Sequence, residues 1–217
     1  MTVPSRVEAA RLLLSLDPPA WHVRHSRAVA EIAGWLALRA TRAAGPGRAP
    51  DRRLVEAAAL LHDIDRALPH RASGRRGATR PEAHGAVGAR WLAGRGHPEL
   101  AEAVALHPVT LLVDEAGAAS LGEASVEARL VAYADKRAGQ RLEPMADRFA
   151  RWRRRHPHGW SGDVAGGALR RSQALEADVC GLASCRPEDV ARLRWTGRAV
   201  TAARHPTDDR HPATGRA

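Results

Sequence analysis

Apolar positions recur at helical spacing along almost the whole chain, and no run alternates convincingly with period two. The pattern predicts a first helix over 5–16, stopped by Asp17-Pro18-Pro19. A second, over 21–43, carries Val29, Ile32, Leu36 and Leu38 and is broken by Gly45-Pro46-Gly47. Asp51 reads as the N-cap of a third, which runs through Leu54, Val55, Ala58 and Leu61 to His62. An Arg-, Gly- and Ser-rich loop over 69–80 follows. A helix over 81–93 includes His84, and another starts at Pro98 and reaches His107 before Pro108. A polar connection then leads to helices over 123–133, ending just before Asp135, and 142–152. Two more are expected over 163–182 and 187–195, the latter opened by Arg186-Pro187-Glu188-Asp189. The expected fold is all-α, with a main helical domain over 1–160 and a C-terminal helical extension over 161–203. The last residues, 204–217, have little to bury and are expected to be disordered.

Composition agrees with helix. The core material is Leu, Ala and Val, with one Phe, one Tyr and six Trp, and β-branched residues are few. No apolar stretch is long enough to cross a membrane. Arg6, Glu8 and Arg11 interrupt the N-terminal apolar residues, so that segment reads as an amphipathic helix, not a signal peptide. Cys180 and Cys185 lack the spacing of a zinc or redox pair and read as plain thiols of a cytoplasmic protein.

The formal charge of +10 raises the question of a nucleic-acid partner. Lys136 is the only lysine, and the arginine excess is spread along the chain, a pattern that GC-rich coding also produces. Only Arg151-Trp152-Arg153-Arg154-Arg155-His156 concentrates it. That segment is either a solvated helix end before Pro157 or a contact for a phosphate-rich partner.

The chemistry lies in polar residues placed at or near the ends of apolar helices. His62-Asp63 follows the apolar run 57–61, and Asp135 follows the run 130–134. His25 shares a helix with the apolar face of Ala28, Val29, Ile32 and Leu36. Unpaired polar groups are costly to bury, and a divalent metal is a partner that imidazole and carboxylate both suit. Two such metals turn water into a nucleophile at neutral pH.

The order His25, His62-Asp63, Asp135 resembles the HD superfamily of metal-dependent phosphohydrolases. The segments 23–30 and 60–66 match its first two motifs, Ala134-Asp135-Lys136-Arg137 resembles its last, and the likeness covers 21–149. It implies an HD-type helical bundle in which His25, His62, Asp63 and Asp135 bind one metal. Branches with two further histidines hold two, and His84 and His107 fit those positions, with Asp63 then bridging. The implied cofactor is a pair of divalent ions, iron, manganese or another transition metal, with magnesium an alternative.

The family resemblance also implies a small-molecule phosphate substrate, a nucleotide or another ester or anhydride, cleaved by metal-activated water. Asp63, Arg66 and Lys136 are the expected catalytic residues. Arg66, Lys136 and Arg137 are the expected phosphate contacts, and Asp65 either accepts a proton or organises an arginine. His22, His70, His97, His156 and His158 lack the motif context and are expected to be bystanders, as are His205 and His211 in the tail. The cyclic-dinucleotide signature Gly-Tyr-Pro is missing, and the compact layout resembles the small bacterial branch that contains symmetrical diadenosine tetraphosphate hydrolases, as well as functionally unassigned small HD proteins. Tyr133 to Arg137 and Asp147-Arg148-Phe149 carry the likeness to the unassigned proteins. Two alternatives remain: a dinuclear iron oxygenase using the same ligands, and a basic nucleic-acid-binding or regulatory module.

Overall fold

A computed structural model describes residues 3–45, 49–69, 83–139, 142–160, 162–193, 200–201 and 204. The described residues form helices joined by turns, without a strand; Ala138 and Leu142 make one isolated bridge. In chain order the helices are α1 (Arg6–Leu14), α2 (Ala20–Ala43), α3 (Arg52–Leu61), α4 (Ala86–Gly94), α5 (Ala101–Ala105), α6 (Glu115–Glu123), α7 (Val126–Arg137), α8 (Met145–Arg155), α9 (Gly162–Leu182) and α10 (Pro187–Ala191). The all-α expectation is met.

Local chemistry explains several of the starts. Ser5 and Glu8 form a reciprocal capping box on α1. The Asp51 carboxylate accepts from the Arg53 and Leu54 amides, as its position in the sequence implied. Asp114 caps α6 through the Gly117 amide, and Ser125 caps α7 through that of Ala128. The α6 segment is a helix where a connection was expected. Its glycines hid it: a Cβ on Gly117 would lie 2.2 Å from the Leu111 carbonyl oxygen, so the chain needs glycine there to turn tightly into the helix.

Three other boundaries differ from expectation, and each moves a site residue. Helix α4 begins at Ala86, so His84 sits on the preceding turn; Gly85 has φ +86°, which a helix cannot contain. The expected 98–107 helix splits into a short 3₁₀ turn, Pro98–Leu100, and α5, leaving His107 beyond the end. Helix α7 extends to Arg137, which places Asp135 inside its last turn.

At the centre α3 packs against α2, α1, α7 and α5. Ile32, Leu36, Leu60, Leu61, Leu130 and Val131 are fully buried there. The C-terminal helix α9 packs on α7, α8 and α2. Arg137 staples this region. It donates to the Tyr133 hydroxyl (2.8 Å), to Glu176 on α9 (2.6 Å), and to the carbonyls of Glu143 and Pro187. The expected loop over 69–80 and the tail lie mostly outside the described residues.

A Cβ on Gly85 would meet the Val104 carbonyl oxygen at 2.8 Å, on top of the strain of its positive φ. Gly85→Ala should therefore destabilise the protein by about 1–3 kcal/mol. A thermal melt should show a Tm lower by roughly 3–10 °C; an unchanged Tm would mean the turn is free to relax.

Candidate metal centre

Six side chains from five segments meet in the interior. His25 comes from the second turn of α2, and His62 and Asp63 from just past the end of α3. His84 comes from the turn before α4, His107 from the exit of α5, and Asp135 from the last turn of α7. All are buried except His84, which is partly exposed.

Their donor atoms form two sets. In the first, His25 Nε2 lies 3.1 Å from His62 Nε2, 3.3 Å from Asp135 Oδ1 and 3.7 Å from Asp63 Oδ2. His62 Nε2 is 3.8 Å from Asp135 Oδ1 and 3.9 Å from Asp63 Oδ2. In the second, Asp63 Oδ1 is 3.0 Å from His84 Nε2 and 3.4 Å from His107 Nε2, and those two nitrogens are 3.1 Å apart. Ligands about 2.0–2.2 Å from one ion stand roughly 3–3.5 Å from each other, so both sets fit a transition metal with little adjustment. Asp63 gives one oxygen to each.

The imidazoles are oriented for ligation. His62 Nδ1 donates to the Ala59 carbonyl (2.8 Å) and His107 Nδ1 to that of Val104 (2.6 Å). His25 Nδ1 contacts the Gly139 carbonyl at 3.2 Å, and His84 Nδ1 contacts Asp65 Oδ2 at 2.8 Å. In the neutral form of each ring, an acceptor on Nδ1 leaves the Nε2 lone pair facing the centre. Asp65 also accepts from the Gly85 amide (3.0 Å). Its hydrogen bonds hold a histidine and a turn, where the sequence suggested a proton acceptor or an arginine partner.

Electrostatics suit the same use. Burial pushes His62 down to about 3, against the pull of Asp63, so its ring is neutral. Burial pushes the Asp63 carboxyl up, but the surrounding imidazoles of His62, His107 and His84 outweigh it and hold the group well below the usual range. Asp135 is also held low: burial opposes this, and Lys136, His25 and Arg148 overcome it. For His84, burial lowers the pKa, but hydrogen bonds to Asp63 and Asp65 win and push it up to about 9.

The expected phosphate contacts separate. Arg66 is half exposed at the edge of the centre, its Nε 3.0 Å from Asp63 Oδ2 and its Nη2 3.3 Å from His84 Nε2. Lys136 is fully buried. Its ammonium donates to Asp135 Oδ2 (3.0 Å), to the Ala132 carbonyl (3.3 Å) and to the His107 carbonyl, which leaves no N–H for a substrate. Arg137 is turned into the α7–α9 staple. Of the three, Arg66 alone reaches the open side; Lys136 and Arg137 are buried.

Two residues near the centre had no site role in the sequence reading, where His22 was an expected bystander and Arg148 part of a narrower likeness only. Arg148 Nη2 donates to Asp135 Oδ1 at 3.2 Å. Its signal was an arginine on the apolar stripe of Met145, Phe149 and Trp152 on α8. His22, one turn before His25 and facing the field of Asp63, is fully buried with neither ring nitrogen hydrogen-bonded. Its i, i+3 spacing from His25 was the available clue. His156 and His158 are exposed, His97 lies 3.7 Å from Glu99, and His70 falls outside the described residues. In the basic segment Arg151 pairs with Glu143, and Arg153, Arg154 and Arg155 are exposed. Both thiols are free and pushed up by burial, Cys185 to about 12.

Shared ligation predicts that Asp63→Ala loses both ions while helical circular dichroism persists, and that His84→Ala or His107→Ala lowers the ion count from two toward one by elemental analysis. Protonation of His84 adds a pH dependence. Ligation needs its Nε2 lone pair, so affinity for the second ion should rise with pH until about 9. Calorimetry in buffers of different ionisation enthalpy should read about one proton released with that ion at pH 7; no release would contradict the assignment.

A family model for the HD domain matches residues 23–140, more than half of the chain and inclusive of all six candidate ligands. No curated protein and no solved structure matches. By the family match, with the His-Asp pair at the end of α3 at its heart, the chain belongs to the HD domain family.

Proposed function

We propose that this protein is a metal-dependent phosphohydrolase with a two-ion centre built from His25, His62, Asp63, His84, His107 and Asp135. The observation that carries the proposal is the sharing of Asp63, one oxygen toward each set of nitrogens, beside the half-exposed guanidinium of Arg66. Bound there, two divalent ions would supply Lewis acidity toward a phosphoryl group and lower the pKa of water from about 15.7 toward about 7.

The chain's own residues divide the remaining work. Asp63 is the bridge and sets where the two halves meet. Asp65 keeps His84 in the ligating tautomer. Arg66, ion-paired with Asp63 at the exposed edge, would be placed to take a phosphoryl oxygen at the open side. Burial of the other groups excludes bulk water from the reacting phosphate.

The finer reading is a nucleotide substrate. Nucleoside polyphosphates, diadenosine tetraphosphate among them, come first because the compact layout resembles the small branch that contains diadenosine tetraphosphate hydrolases. Iron or manganese fits the imidazole-rich donors better than magnesium does. A cytoplasmic setting accords with the free thiols, and among the described residues no helix is long and apolar enough to cross a membrane. The same carboxylate-bridged, histidine-rich set also suits two irons in oxygen chemistry, which is the second reading.

The test is to purify the protein under reducing conditions, count its metals and screen nucleotides and phosphoesters without oxygen. Anaerobic phosphate release is expected, with loss to background on chelation or in Asp63→Ala. Arg66→Ala should raise KM by roughly 10- to 100-fold through one lost charged hydrogen bond. Oxygen uptake without anaerobic phosphate release would replace the hydrolase by the oxygenase.

A further inference from the structure

The chain carries 34 lysines and arginines, and all but one are arginine. The exception, Lys136, is fully buried beside the metal centre. Its three N–H donors meet three oxygens on two sides of the site: Asp135 Oδ2 at 3.0 Å, the Ala132 carbonyl at 3.3 Å, and the His107 carbonyl. A compact ammonium with three radiating donors satisfies that arrangement, whereas a flat guanidinium fork does not.

We propose that Lys136 is a positioning residue that locks the two ligand sets to each other, by joining the Asp135 carboxylate of the first to the His107 backbone of the second. The inference rests on the two-ion reading above. His107 lies past the end of α5 and before Pro108, where its carbonyl has no helical partner; Lys136 supplies one. The ring of the same residue is held by Val104, so His107 is fixed at both ends. The Ala132 carbonyl, one turn back on α7, ties the ammonium to its own helix. Asp63 already sets the near edge of both sets, and Lys136 adds a second, independent tie between them. Two ties fix a separation that one leaves free to pivot. Arg148 is the internal contrast: it holds the other oxygen of Asp135 and donates to no ligand of the second set that the structure records.

The test separates the two sets and reads metal affinity, not turnover. Apo protein is titrated with Co²⁺ in two backgrounds: His84→Ala, which retains the first set, and His25→Ala, which retains the second. Lys136→Met should weaken Co²⁺ binding at least about tenfold in both backgrounds. Arg148→Met should do so only in the His84→Ala background. Lys136→Gln, which keeps amide N–H donors, should recover part of the loss and covers the case in which Lys136→Met does not fold. Either Lys136 variant, with an apo melt like its parent and unchanged affinity in the His25→Ala background, would overturn the proposal. Failure of the wild type to take up a second Co²⁺ is a separate outcome, and it would overturn the two-ion reading itself.

Discussion

A single buried carboxylate organises the site. Asp63 faces the nitrogens of two pairs of histidines, one pair at each oxygen, and ion-pairs with Arg66 at the edge. Burial alone would push its proton back on, and the surrounding donors prevent that. Everything else in the centre can be described by its relation to this group. The first set lies on one oxygen, the second on the other, and the Arg66 guanidinium lies at the exposed edge.

Helix ends do much of the building. The last-turn carbonyls of a helix lack intrahelical partners. In this protein two of them, Ala59 on α3 and Val104 on α5, accept the Nδ1 proton of a histidine three residues on. One interaction thus satisfies an orphan carbonyl and fixes a tautomer. The polar residues at these ends resist burial as orphans, and the structure resolves that tension by gathering them around one point.

The cationic composition has a structural side as well. Of the buried cations, Lys136 and Arg148 clamp the two oxygens of Asp135, and Arg137 pins α7 to α9. These groups are spent on the interior. The chain's overall charge therefore overstates what is available at the site, where Arg66 is the exposed guanidinium in direct contact with a ligand carboxylate.

Periodicity by itself determined the all-α fold and most of the helices, because the apolar spacing of α1, α2, α3, α7 and α9 is set locally. Residue type and order, together with the family resemblance, pointed to the six candidate ligands, since buried imidazole and carboxylate need partners. Tertiary structure decided what no local pattern carries. Gly85 and the Asp65 carboxylate moved His84 from a helix to a turn, and the approach of α7 to the α5 exit turned Lys136 from a phosphate contact into a buried link. His22 and Arg148 joined the centre only through packing of α2 and α8 against it. The physical reason is common to all of these: a motif specifies which groups are present, but the burial and direction of each group depend on contacts between segments far apart in the chain.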